Sequence, residues 1–251
     1  MTPAQRRGMV LLGLGGLAAF YLWGLADMPP FGSYRGPYGN LINTIAVAAT
    51  HATGVVSAVN FVYRGFDTIG EEFILFVAAV GVATVLREQR AGQKRSGRDA
   101  APGEDVPPVS DAVRLLALAF IGPTLVLGWF LATHAQSNPS GGFQGGVVMT
   151  SAVALIYLGG QYLSFRRLSP VKVLDAVEAV GAGGFVAVGL GVLAGGAAYL
   201  ADALPLGSVP GAIDAGGTIP VISFCVGVEV ASAFMLILSE LLEQTLFVKD
   251  G

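Results

Sequence analysis

Gly141-Gly142-Phe143-Gln144-Gly145-Gly146 leads into an uncharged run that extends from Val147 to Tyr162. A glycine destabilises a helix unless a neighbouring group must approach its backbone closely. Two overlapping glycine pairs stand four residues apart here, Gly141 with Gly145 and Gly142 with Gly146. Small residues at this spacing are typical of faces on which membrane helices pack. The stretch therefore predicts a membrane helix in close contact with another helix or with a partner protein.

The composition is that of a polytopic membrane protein. Of the 251 residues, 53% are hydrophobic and 12% are charged, whereas a soluble domain carries about 25% charged residues. Runs of about 20 apolar residues can span a bilayer. Spans are predicted at about 8–26, 67–86, 111–133, 143–163, 172–201 and 219–246. The expected fold class is all-α, with about six transmembrane helices in the cell membrane.

The basic residues predict that both termini are cytoplasmic. With six spans, twelve of the fourteen Lys and Arg residues lie on one side of the membrane, in line with the positive-inside rule. Only Arg35 and Arg64 lie on the other side. A seventh span within residues 37–63 would spoil this bias, and that segment carries many polar side chains. We therefore predict an amphipathic or re-entrant segment at about 37–63 on the outer face.

A polar stretch from Arg87 to Ser110 separates two parts of the chain. It contains charged residues, glycines and prolines but no apolar run, a composition typical of a mobile linker. The sequence thus predicts a two-helix unit at 1–86, a cytoplasmic linker at 87–110 and a four-helix unit at 111–251.

No pattern in the sequence predicts an enzyme. There is no phosphate-binding glycine loop, no recognisable Ser-His-Asp spacing and no His-Glu metal motif. The single cysteine, Cys225, excludes an internal disulfide and a cysteine-ligated metal cluster. The sequence also lacks a basic patch interleaved with aromatic residues, which nucleic-acid-binding proteins often carry. We expect no cofactor in this chain and no binding of nucleic acid.

Carboxylates inside the predicted spans are the strongest candidates for function, because an ionisable group is costly to bury in a membrane. Glu229 lies near the middle of the last span and shares a polar helix face with Ser232 and Ser239. Such a carboxyl can relay protons, bind a cation, or pin a neighbouring helix through a hydrogen bond. Glu178, about two turns into the fifth span, leaves the same alternatives open.

Four more residues are candidates for an ion pathway. Asp67 and Glu71 stand at the outer start of the second span, where they could attract cations, while Glu71 also fits a helix cap with Thr68. Gln144 lies between the glycine pairs, so we expect it to be buried and to need a hydrogen-bond partner. His134, beside the glycines at the outer face, could handle protons or serve as an interface residue.

The stretch Pro139–Gly146 resembles the signature of the MrpB-type (MnhB) component of Mrp-type multisubunit Na+/H+ antiporters. Gly217–Val230 is similar to the last helix of that component, so the resemblance covers about residues 111–247. Val59–Glu71 resembles the end of the large MrpA-type component of the antiporter, which is the separate small protein MbhE in membrane-bound hydrogenases. The chain thus resembles a fusion of an MbhE-like piece with an MrpB-like protein.

Two positions depart from the pattern of these families. Ser140 replaces a glycine that usually follows the proline, and its small side chain should still permit close approach. Glu72 stands where an apolar residue is expected, which leaves open whether the acidic cluster acts here as it does in the family.

The resemblance implies an accessory, non-redox membrane subunit of an Mrp-type cation/proton antiporter, with Na+ or H+ as the transported ions. The expected partners are A-, C- and D-like subunits, small subunits and the lipid bilayer. Pumping in such complexes is attributed to other subunits with buried lysines, and no lysine lies inside a predicted span of this chain. The alternatives are a structural scaffold, or a membrane subunit of a related complex I-like or membrane-bound hydrogenase-like complex.

Overall fold

The computed structural model describes residues 3–28, 30, 32–33, 36–89 and 108–244, with the backbone alone at residues 3, 6, 88 and 89. These described residues form helices and contain no strand, which confirms the all-α class. The helices are α1 (Pro3–Ala26), α2 (Pro37–Thr50), α3 (Val55–Ala58, continued by a π-helical turn at Val59–Tyr63), α4 (Gly65–Gln89), α5 (Asp111–Thr133), α6 (Gly142–Leu168), α7 (Val171–Ala194) and α8 (Ile219–Gln244).

Six of the described helices are long and apolar enough to cross a membrane, which confirms the predicted number of spans. They cover Arg7–Ala26, Gly65–Arg87, Asp111–Thr133, Gly142–Leu168, Val171–Ala194 and Ile219–Gln244. The fifth span is shorter than predicted, because Gly195 ends α7 and Gly196 turns the chain at a φ of 88°. Glycine adopts this left-handed conformation without steric cost.

The chain forms two compact units, residues 1–41 and 42–251. In the first unit, the membrane-spanning part of α1 has no buried residue. In the second unit, α4 packs against α7 and α8. Packing thus groups α4 with the later helices, whereas composition predicts a division at the linker 87–110. Residues 90–107 of that linker lie outside the described residues.

The predicted outer segment 37–63 consists of two helical pieces. α2 and the piece Val55–Tyr63 meet at an angle of 89°. His51 lies in the break between them and has a φ of 53°. Such a bent pair is either a broken span or a re-entrant loop, so the position of this segment in the membrane stays a prediction.

The glycine stretch begins α6 and lets this helix approach its two neighbours. A Cβ atom added to Gly142 would lie 2.6 Å from the Gly227 nitrogen, and one added to Gly146 would lie 2.6 Å from the Val230 Cβ. A Cβ on Gly145 would meet the backbone of α5 at 2.7 Å. Real Cβ atoms essentially never come closer than 3.0 Å to such atoms. The glycines therefore permit α6 to pack between α5 and α8.

Three connecting segments form a hydrogen-bonded layer at one end of the second unit. Gly54 in the α2–α3 break donates its N–H to the carbonyl of Gln136, at 3.0 Å. The Gln136 side chain donates in turn to the Ile213 carbonyl at 3.3 Å. The N–H of Gly211 donates to the His51 carbonyl at 2.8 Å. The long loop between α7 and α8 is thereby tied to the break and to the loop after α5.

Asp202 anchors this long loop to the start of α8. Its Oδ1 atom accepts hydrogen bonds from the Thr218 backbone N–H at 2.6 Å and from the Thr218 hydroxyl at 3.1 Å. Burial raises the pKa of the Asp202 carboxyl, and the two hydrogen bonds from Thr218 oppose that rise. Burial thus dominates over the hydrogen bonds.

We expect ionisation of Asp202 to lower the thermal stability of the protein. The fall should begin near pH 3.8, the ordinary pKa of Asp, and continue as the pH rises through the higher pKa of folded Asp202. The reason is that a carboxyl with a raised folded pKa stabilises the fold while it is protonated, and loses this contribution on ionisation. Asp202→Asn should flatten the fall. Melting temperatures of the detergent-solubilised protein across this range would check it, and equal slopes for both proteins would contradict it.

Candidate functional site

Glu229 is completely buried in the middle of α8. Its exposure is 0%, and neither carboxyl oxygen has a hydrogen-bond partner among the described residues. Gly181 of α7 packs directly against it, since a Cβ on Gly181 would lie 2.6 Å from the Glu229 nitrogen. An unpaired buried carboxylate is very costly. The carboxyl therefore needs a proton, a cation or another polar group that can reach it.

Two other buried carboxyls act electrostatically on Glu229. They are Glu178 on α7, with 2% exposure, and Glu72 on α4, with 4% exposure. Glu178 Oε1 and Glu72 Oε2 have no hydrogen-bond partner in the part of the chain that the structure describes. Three helices thus each contribute one carboxyl to an interior group, the carboxyl cluster of Glu72, Glu178 and Glu229.

Arg87, Asp175 and Glu240 form an ion-pair network, which we call the Arg87 clamp. Arg87 Nε lies 2.6 Å from Glu240 Oε1, and Arg87 Nη2 lies 3.0 Å from Asp175 Oδ1. The Glu240 side chain is almost fully buried, whereas the Asp175 side chain is 40% exposed. Both Asp175 and Arg87 act electrostatically on Glu178. The clamp therefore adjoins the carboxyl cluster on one side and the protein surface on the other.

A cavity of about 260 Å³ lies between the glycine stretch, the π-helical turn and the start of α4. Its polar lining consists of Asn60, Thr68, Glu71, Glu72, Ser140 and Gln144. Glu72 belongs both to this lining and to the carboxyl cluster. The cavity therefore adjoins the carboxyl cluster at Glu72.

Gln144 is exposed in this chain, contrary to the expectation that it is buried. Gly142, Gly145 and Gly146 face the neighbouring helices, so Gln144 falls on another side of α6, where it lines the cavity. Phe143 is 46% exposed, and its ring meets Phe234 edge to face at a centroid distance of 6.2 Å.

The other three candidates lie nearer to the surface. Asp67 is exposed and pairs with Arg64, with 2.6 Å between Oδ2 and Nε. Glu71 is exposed and lines the cavity. His134 stacks on Phe130 with a centroid distance of 4.4 Å. Of these three residues, the structure brings only Glu71 close to the carboxyl cluster.

Glu72 is the residue whose role the sequence did not predict. Ile69, Glu72, Ala79 and Ala83 are all buried on α4. Their spacings of three, seven and four residues place them on one helix face. An apolar stripe of small residues continuing from Glu72 was the signal that this glutamate points inward, while Glu71 points away.

Residues 112–236 match the family described as a domain related to the MnhB subunit of Na+/H+ antiporter. We call this matched region the MnhB-related domain. It contains Glu178 and Glu229, whereas Glu72 and Arg87 precede it. The carboxyl cluster therefore combines two residues of the MnhB-related domain with one residue from the preceding helix α4.

Similarity to known proteins extends beyond the MnhB-related domain. The chain is 27% identical over 206 residues to the uncharacterised protein MJ1307 of Methanocaldococcus jannaschii, covering 72% of this chain and 76% of that protein. It is also similar to a chain of the membrane-bound sulfane sulfur reductase, an archaeal respiratory membrane complex. That match has a TM-score of 0.72 and 27% identity, and covers 98% of this chain and 100% of the other.

A chain of the Mrp complex from Dietzia sp. DQ12-45-1b shares the fold. The TM-score is 0.72 at 20% identity, and the match covers 96% of this chain and 26% of that chain. With six helices able to cross a membrane, the protein is a multi-pass membrane protein. The resemblance of residues 1–86 to MbhE stays a prediction.

Proposed function

We propose that the chain is an accessory subunit of an Mrp-type cation/proton antiporter, and that its carboxyl cluster carries protons between the cavity and the Arg87 clamp. The MnhB-related domain supports membership of such a complex, and so does the fold shared with a chain of the Dietzia Mrp complex. Antiporter subunits of the A, C and D types and small subunits would be its partners. Na+ and H+ would be the ions exchanged.

The observation that carries this proposal is the full burial of Glu229 with both carboxyl oxygens unpartnered among the described residues. A glutamate that only pins two helices would be hydrogen-bonded to the neighbouring helix, because buried polar groups are normally satisfied. Glu229 instead meets the glycine backbone of α7 and the electrostatic influence of two more buried carboxyls. This arrangement favours proton transfer over a purely structural role.

The proposed order of the route follows the residues that interact electrostatically. Glu72 lines the cavity and acts on Glu229, Glu178 also acts on Glu229, and Asp175 acts on Glu178. Buried carboxyls that interact electrostatically, as Glu72 and Glu178 do with Glu229, cannot all be charged without compensation, since like charges raise one another's energy at low dielectric. A proton shared among them supplies the compensation and can move along the row.

We expect Glu72→Gln and Glu178→Gln each to reduce proton-coupled cation transport to near background. An amide has nearly the shape of the carboxyl but cannot take up and release a proton. The measurement is pH-gradient dissipation on Na+ addition to inverted vesicles that contain the whole complex. Copurification of partner subunits would verify assembly.

The matched control is Asp67→Asn on the same helix, because Asp67 is exposed and pairs with Arg64 outside the route. It should transport like the wild type. Wild-type transport by fully assembled Glu72→Gln and Glu178→Gln complexes would refute the proton route.

A second candidate function is the same role in a redox-driven membrane complex. The match that covers all of a chain of the sulfane sulfur reductase favours it. Purification of the intact complex separates the two candidates. Copurification of antiporter proteins without redox partners supports the first, and partner proteins with metal clusters support the second.

A further inference from the structure

We propose that Arg87 is the barrier that stops metal cations at the Asp175 end of the carboxyl route while protons pass. This inference rests on the proposed proton route and adds the residue that sets its ion selectivity. It starts from the position of the Arg87 clamp, which lies where the buried row of carboxyls reaches the protein surface.

The guanidinium is held between two carboxylates. Its Nε lies 2.6 Å from Glu240 Oε1, while Nη1 and Nη2 lie 3.2 and 3.0 Å from the two oxygens of Asp175. Guanidinium–carboxylate bonds of this two-pronged kind are among the strongest hydrogen bonds in proteins. The side chain is 39% exposed while that of Glu240 is 1% exposed. Arg87 is therefore fixed at the boundary between the interior and the surface.

Between the carboxyl cluster and the clamp, the interior holds mainly apolar side chains, together with the hydroxyls of Ser232 and Ser239. The apolar side chains come from α4, α7 and α8 and include Ala79, Ala83, Leu174, Ala233 and Leu236. Along α4 these apolar residues separate Glu72 from Arg87, and along α8 they separate Glu229 from Glu240. On α7, by contrast, the cluster residue Glu178 and the clamp residue Asp175 are only three residues apart on one face. A proton would therefore leave through Asp175, which Arg87 holds.

The fixed positive charge raises the energy of any cation at this point, and the need for oxygen ligands then separates metal cations from protons. A proton can pass from Glu178 to Asp175 as part of a carboxyl group. A metal cation must instead keep oxygen ligands throughout, and both oxygens of Asp175 and Oε1 of Glu240 already accept hydrogen bonds from the guanidinium. Arginine stays charged at all physiological pH values, and a single arginine can exclude cations from a membrane pore.

The test is Arg87→Gln in the complete complex, reconstituted or in inverted vesicles, with an uncoupler present to remove the proton gradient. The entry of radioactive Na+ should rise at least about tenfold, since a unit charge a few ångströms from a cation's path contributes more than a tenfold barrier even at partly screened sites. Arg166→Gln is the control, because Arg166 is an exposed arginine whose ion pair is with Glu243, at 3.9 Å, and not with a carboxylate of the clamp. It should not leak.

Two further variants assign the leak to the charge and to the route. Arg87→Lys should keep the low Na+ entry of the wild type, because it retains the positive charge. Adding Glu229→Gln to Arg87→Gln should abolish the leak if the cation follows the carboxyl row. A leak in Arg87→Lys equal to that of Arg87→Gln would overturn the charge barrier, and so would an assembled Arg87→Gln complex that does not leak.

Arg87→Cys in a Cys225→Ser background provides a second measurement if the glutamine variant does not assemble. A cationic thiol reagent should then reduce Na+ entry and a neutral reagent of similar size should not, whereas equal effects would overturn the barrier.

Failure of the barrier can be distinguished from failure of the proposed proton route. Normal transport by Glu229→Gln refutes the proton route, while loss of transport in Glu229→Gln without a leak in Arg87→Gln refutes the barrier alone.

Discussion

Replacing Gly142 with valine is expected to prevent α6 from packing on α8 and to remove most of the folded protein from the membrane. The first added carbon would lie 2.6 Å from the Gly227 nitrogen and would also overlap the Ser223 carbonyl. These are backbone atoms of a central helix and cannot turn aside as a flexible side chain can. Overpacking a core costs about 1–3 kcal/mol of folding stability. Because valine adds two methyl groups beyond the Cβ, the cost for this variant should lie at or above the upper end of that range.

The level of folded protein is measured by fluorescence-detected size exclusion of a tagged chain, and its stability by the melting temperature in detergent. The matched control is Gly183→Val on α7, where an added Cβ meets no atom within 4 Å. The control should accumulate to near wild-type levels. Equal yield and equal melting temperature for both variants would contradict the packing described for Gly142.

Glu229→Gln is expected to lower proton-coupled transport to background while the complex still assembles. The glutamine side chain fits the same buried space between α7 and α8, so the packing of Gly181 on this position is retained. The amide, however, cannot exchange a proton with the carboxyls of Glu72 and Glu178. Transport is measured in inverted vesicles and normalised to the amount of assembled complex.

Glu229→Asp is the informative companion variant. It keeps a titratable carboxyl but withdraws it by one methylene, so partial transport is expected. A scaffold role for Glu229 predicts the opposite order, with glutamine tolerated better than the shorter aspartate. Normal transport by assembled Glu229→Gln would exclude Glu229 from the proton route.

The number of spans could be predicted because apolar length is a local property of the sequence. Helix ends were predicted less accurately where a turn ends the helix. Gly195 and Gly196, for example, end α7 before residue 201. The backbone at Gln161, with a φ of 62° inside α6, is another local break that the apolar run concealed.

Which residues belong to the candidate site depends on which face of each helix packs against its neighbours. Glu229 could be predicted because it is a carboxyl in the middle of a predominantly apolar span. The burial of Glu72 and the exposure of Gln144 could not, since both depend on how α4 and α6 rotate against the rest of the second unit. The glycines fix the rotation of α6 and leave Gln144 on the cavity side.

The central claim is that the buried Glu229 carboxyl takes up and releases a proton during transport. Infrared difference spectroscopy of the purified complex, recorded before and after Na+ addition, observes protonated carboxyls directly. The proton route predicts a difference band in the protonated-carboxyl region that shifts in D2O and is lost in Glu229→Gln but retained in Asp67→Asn. A band that persists unchanged in Glu229→Gln, or no band in the active wild-type complex, would contradict it.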